Sequence, residues 1–111
     1  MHFLIINDDY YNHIIEKLIE GNPLFTSVFD LEDGIYPILG EFTQFAIDNI
    51  DNQNVILDAF QFINKALEEG GYKTEEVIVI QFLQRFLEND KLNNTAREHL
   101  SNKGLSIFEK L

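Results

Sequence analysis

Between Asn54 and Glu69 the polar residues Asp58, Gln61, Lys65 and Glu68 recur at i, i+3, i+7 and i+10, and nearly every other position is apolar. That period belongs to a helix; a strand would alternate every second residue. Gly70-Gly71 terminates the segment. It is the clearest helix in the chain, and the neighbouring segments repeat its period.

Tyr10, Ile14, Leu18 and Ile15, Ile19 predict a first helix that Asn7 or Asp8 caps and Gly21 ends near Glu20. Residues 2–6 read equally as a short strand or extra helix. Asn22-Pro23 predicts a cap and first position for a short helix to about Phe29. Pro37 suits the start of a third helix, in which Ile38, Leu39, Phe42, Phe45, Ala46 and Ile50 form one stripe. Gly40 in that helix is either a close-packing point or a propensity cost of about 1 kcal/mol.

Thr74 predicts the cap of a fifth helix, with Glu75 and Glu76 in its first turn. Its opening run Val77-Ile78-Val79-Ile80 favours a strand in isolation. The helical period continues through Phe82, Leu83, Phe86 and Leu87, and outweighs four β-branched residues. Being apolar around most of its circumference, this segment is expected at the centre. Asn89–Asn94 reads as a polar turn, Thr95 as the cap of a short helix to about Leu100, and Gly104 as a break before a last turn carrying Leu105, Phe108 and Leu111. The fold class expected is all-α, a compact bundle or short right-handed stack of five to seven helices in one domain over residues 1–111.

The length suits one domain. Absence of cysteine excludes disulfides, thiolate nucleophiles and Cys-based zinc sites. The apolar start Met1–Ile6 is followed at once by Asn7, Asp8 and Asp9. That is too short for a signal peptide or a membrane helix, so a cytoplasmic, membrane-free protein is expected.

Chemistry-bearing patterns are sparse. His13 and Glu16 share a helix face at i, i+3, but no second pair completes a metal site. Glu98 and His99 are adjacent and point apart. A calcium loop fails at Ile50 and Ala59 if started from Asp48, and at Ile56 if started from Asp51. No phosphate loop, Ser-His-Asp set or dinucleotide fingerprint occurs. No cofactor and no metal are expected.

Charge is the informative feature. The net charge is −11, and eleven acids in residues 1–64 face the single base Lys17, leaving −10 there and −1 in residues 65–111. Glu41, Gln44, Asp48 and Asp51 follow i, i+3, i+7, i+10, which predicts three carboxylates on the outer face of the third helix. The acidic loop Asp30, Glu32, Asp33 precedes that helix, with Tyr36 beside it. Such a segregated patch suits the steering of a basic protein partner. The plain alternative is solvated surface.

The runs Tyr36-Pro37-Ile38-Leu39-Gly40-Glu41-Phe42-Thr43-Gln44-Phe45, Phe60 to Gly70 and Val77 to Asn89 resemble a family of small, uncharacterised bacterial helical proteins. That family carries a proline followed by Leu-Gly-[Asp/Glu]-Phe, a Phe-Ile-Glu-like helix ending in Gly, and a Phe-Leu-Glu-rich helix. Asn64 departs from it where an acid stands, and Gln84-Arg85 interrupts the last motif. Such proteins resemble the acidic immunity partners of bacterial toxins. The expectation is therefore a non-enzymatic binding domain that neutralises a basic, nuclease-type toxin through Asp30, Glu32, Asp33, Tyr36, Glu41, Asp48 and Asp51. Direct nucleic-acid binding is not expected. A small enzyme using clustered carboxylates, or an inhibitor mimicking nucleic acid, are the alternatives.

Overall fold

The segment with the narrow polar stripe is a helix over Gln53–Glu69, and other helices cover its apolar sides. A computed structural model, which describes residues 8–111, gives α1 (Asp9–Asn12), α2 (Ile14–Gly21), a 3-10 turn (Leu31–Asp33) and α3 (Ile35–Asp48). Then come α4 (Gln53–Glu69), α5 (Tyr72–Gln81), a 3-10 segment (Leu83–Leu87), α6 (Asp90–His99) and α7 (Asn102–Glu109). The described chain is all-helical, with seven α-helices and no strand. The question of strand or helix at residues 2–6 lies outside the described residues.

α4 packs against α2, α3, α5, α6 and α7, so it shares the centre with the fifth segment. The core joins side chains from every helix. Its middle is aromatic: the Phe82 ring lies 6.0 Å from Phe42, 5.4 Å from Phe60 and 4.7 Å from Phe86. Edge and offset pairs of this kind add about 0.5–1.5 kcal/mol each beyond the area they bury. Phe42, Phe60, Ile63, Phe82 and Phe86 are buried as expected, whereas Phe45 is half-buried on the outer side of α3.

Several boundaries differ from the sequence expectation. The first helix is broken at His13 (φ −123°, ψ 14°), between α1 and α2. Residues 22–29 form no helix. The Asn22 side-chain amide donates to the Leu18 carbonyl at 2.9 Å, closing α2, and its buried Oδ1 accepts no hydrogen bond from the described residues, so it caps no following helix. The fifth segment leaves α-geometry at Phe82 and continues as 3-10. In a 3-10 helix residues i and i+3 eclipse, which aligns Leu83 and Phe86, both fully buried.

Thr95 and Thr74 are not caps. Asn89 caps α6 by accepting the Leu92 N–H at 2.9 Å. Gly71 stands at the cap position of α5. Gly104 lies inside α7, where an added Cβ would come within 2.9 Å of Leu100 and 3.3 Å of Leu67. It permits close approach to α4 rather than breaking the chain.

Thr74 serves a different connection. The Asp8 carboxylate accepts the Thr74 N–H at 2.8 Å, the Thr74 hydroxyl at 3.0 Å and the Tyr11 N–H at 3.2 Å. One side chain thus caps α1 and also holds the first turn of α5. Asp8 is only 6% exposed. Burial pushes its carboxyl up, but the amides of Gly71, Thr74 and Tyr11 and the Thr74 hydroxyl outweigh that and hold it below the ordinary range.

Candidate functional site

Glu41, Gln44, Phe45 and Asp48 occupy one side of α3 at i, i+3, i+4 and i+7, and the loop after α2 lies against them. The loop is pinned from inside and from the rim. Phe25 is buried with its ring 5.3 Å from Phe42 and 5.5 Å from Phe45. The Glu41 carboxylate accepts the Ser27 hydroxyl at 2.5 Å and the Val28 N–H at 3.1 and 3.2 Å, one distance to each oxygen. Ser27 Oγ in turn accepts the Phe29 N–H at 3.0 Å.

A backbone held in this way still presents large apolar side chains to water. Leu24 is 70%, Val28 85%, Phe29 42% and Leu31 72% exposed. Single exposed apolar residues are ordinary, but four within eight positions, with Asp30 among them and Glu32 and Asp33 following, form a patch of the kind that contacts other proteins. Between the loop and α3 runs a groove of about 380 Å³, lined by Leu24, Phe25, Thr26, Glu41, Gln44, Phe45 and Asp48.

The seven residues singled out by sequence divide into groups. Glu41 and Asp48 stand on the groove. Among the described residues no cation pairs with either: Glu41 is held by neutral donors, and Asp48 Oδ1 accepts the Gln44 amide at 2.8 Å. Asp30, Glu32 and Asp33 continue from the loop as exposed residues, with Asp33 Oδ2 accepting the Asp30 N–H at 2.8 Å across the 3-10 turn. Gly34, at φ +97°, then turns the chain into α3.

Asp51 and Tyr36 are placed elsewhere. α3 ends at Asp48, because the Asn49 side chain donates to the Phe45 carbonyl at 2.8 Å, so Asp51 sits in the following turn and pairs with Lys91 at 2.6 Å. Tyr36 lies on the α5 side of α3, its hydroxyl donating to Glu76 at 3.4 Å. Partial burial, and then the Glu76 carboxylate, raise the Tyr36 phenol above its usual value.

The apolar members of this face, Leu24, Val28, Phe29, Leu31 and Phe45, are not legible as a site in the sequence. The signal was the run Val28-Phe29-Asp30-Leu31-Glu32-Asp33, in which apolar and acidic residues intermingle without a helical stripe.

Other regions offer less. Among the described residues no three His, Asp or Glu side chains converge to hold a metal. The exposed His13 and Glu16 are 3.5 Å apart. His99 is committed to the Thr95 carbonyl at 2.9 Å, with its ring against Phe60. A cleft of about 310 Å³ between α2 and α4 carries Lys17 and Lys65 opposite Glu20 and Asp58, with no excess of either sign. Tyr10 at its edge is pushed up to about 12 by burial first and by Glu69 second, so its phenol stays protonated. No helix among the described residues is long and apolar enough to cross a membrane.

Residues 11–110 match the family described as a domain of unknown function, DUF7674, and the chain belongs to that family. No curated protein and no solved structure matches it.

Proposed function

We propose that this member of the DUF7674 family is a non-enzymatic binding protein whose acid-rimmed groove and apolar loop dock on a basic protein. The most concrete form is a bacterial immunity protein that neutralises a nuclease-type toxin in the cytoplasm. The reading is carried by one observation: a pinned loop exposing Leu24, Val28, Phe29 and Leu31 borders a groove whose carboxylates, Glu41 and Asp48, have no cation of the described residues beside them. A toxin that binds nucleic acid carries a basic cleft. Uncompensated carboxylates steer such a surface, and apolar side chains held in place before binding supply contact at low entropic cost.

The test is co-expression with the basic toxin domain encoded beside the gene, in cells that the toxin arrests. The wild-type chain should restore growth, and an Asp48→Lys, Glu32→Lys double variant should restore it less while remaining folded. Persistent arrest in the presence of soluble chain, or a neighbourhood without any basic toxin, refutes the reading.

A further inference from the structure

We infer that the groove between the loop and α3 receives an arginine side chain of the partner; this rests on the reading of that face as a docking surface for a basic protein. A cation with a long apolar stem matches the lining better than a bare charge does. Phe45 is half-buried and presents its ring to the groove, Leu24 and Thr26 form the opposite wall, and Asp48 stands one turn along α3 from Phe45.

The hydrogen bonds decide which carboxylate meets the cation. Both Glu41 oxygens accept the Val28 N–H, and one also accepts the Ser27 hydroxyl, so Glu41 is a positioning residue that shapes the loop. Asp48 uses Oδ1 for Gln44 Nε2, and Oδ2 accepts no hydrogen bond from the described residues. The chain's own Arg85 comes near without satisfying it. Its Nη2 donates to Gln44 Oε1 at 2.8 Å, and its charge is paired with Glu88 at 3.2 Å. A guanidinium from outside can lie flat on Phe45 and donate to Asp48 Oδ2, with its methylenes along Leu24. Lysine offers no planar face for that stacking and holds its hydration more strongly.

The occupant is an arginine-bearing segment of a basic protein, not a second copy of this chain. A chain of net charge −11 whose groove is rimmed by acids repels its own copy.

The experiment titrates the full chain with hexa-arginine and hexa-lysine peptides at low salt, by calorimetry or fluorescence anisotropy. Hexa-arginine should bind more tightly. Asp48→Asn should weaken it about tenfold, and Phe45→Leu about threefold, while Asp51→Asn on the Lys91 pair changes little. Leu24→Ser, on the exposed wall, carries the same expectation as Phe45→Leu without a folding risk, and each variant's helix content is checked by circular dichroism. Equal binding of both peptides, with no effect of Phe45→Leu or Leu24→Ser, overturns the arginine site and leaves general acidic steering intact. Failure of both peptides to bind the wild type overturns the docking face as well.

Discussion

Asp8→Ala should be among the most costly single substitutions outside the aromatic core. The wild-type carboxylate accepts three hydrogen bonds, from the Tyr11 N–H, the Thr74 N–H and the Thr74 hydroxyl, across a sequence separation of up to 66 residues. Bonds to a charged acceptor contribute about 1.5–3 kcal/mol each but do not add independently. Relief of the desolvation of a buried carboxylate offsets part of the loss. The expected net is about 3 kcal/mol, above the 0.5–2 kcal/mol typical (roughly) of a single lost helix cap, because the donors at Thr74 are left buried without a partner. In urea denaturation that is a midpoint shift of about 1–3 M. Asp8→Asn adds a pH signature. The native carboxyl is held below its ordinary value, so its contribution is complete above the unfolded value near 3.8 and is lost as pH falls through the depressed native value. The stability gap between wild type and Asp8→Asn should therefore stay constant near neutrality and close under acid conditions. A gap below about 0.5 kcal/mol at neutral pH, or one that widens in acid, refutes the account of Asp8 as the link between α1 and α5.

Phe82→Ala, which empties the centre of the aromatic cluster, should cost about 3–5 kcal/mol, measured by urea denaturation, whereas the half-buried Phe45→Leu should cost well under half of that. Gly70→Ala should destabilise, since the new Cβ would lie 2.5 Å from Thr74 Cβ and 2.6 Å from the Ala66 carbonyl. Gly40→Ala should be neutral or stabilising by up to about 1 kcal/mol, because its Cβ would meet only the movable end of Gln81 at 2.8 Å; thermal melts should show a lowered midpoint for Gly70→Ala and an unchanged or raised one for Gly40→Ala. Val28→Ser with Leu31→Ser should leave the melting temperature unchanged, as both side chains are solvated, while weakening capture of the basic partner.

Helix existence was far more legible than helix limits. The polar stripe of α4 and the apolar stripe of α3 are local; the structure reproduces the first, and the second at Ile38, Leu39, Phe42 and Ala46, while Phe45 is half-buried and Ile50 lies beyond the helix end. The breaks at His13 and Phe82 leave the apolar spacing of the sequence undisturbed, so no pattern marks them. Thr74 and Thr95 have the local appearance of caps, but Thr74 satisfies Asp8 from the distant N-terminal segment, and Asn89 has already started α6. Gly104 resembles a breaker only until Leu67 of α4 is placed beside it. The acidic face followed the same division. The spacing of Glu41, Gln44 and Asp48 on one side of α3 is sequence-local, whereas the pairing of Asp51 with Lys91, forty residues away, depends on the fold.

That pairing narrows the meaning of the charge asymmetry. The first sixty-four residues carry almost all of the net charge, but folding brings bases of the remaining chain onto their edges. Lys91 reaches Asp51, and Arg85 reaches Gln44 beside Asp48. The Lys91–Asp51 surface pair contributes little to stability, yet it removes a local excess of charge from the surface. Among the described residues no cation pairs with the loop acids Asp30, Glu32 and Asp33, or with Glu41 and Asp48 on the groove. Their field decays over about 8 Å at physiological salt, so it acts on a partner already close to the loop. At that range the exposed Val28 and Leu31 and the ring of Phe45 are also within reach. Added salt should therefore slow association more than it speeds dissociation, because the apolar contacts are insensitive to screening. A binding site made of charge alone would lose its entire affinity over the same range of salt.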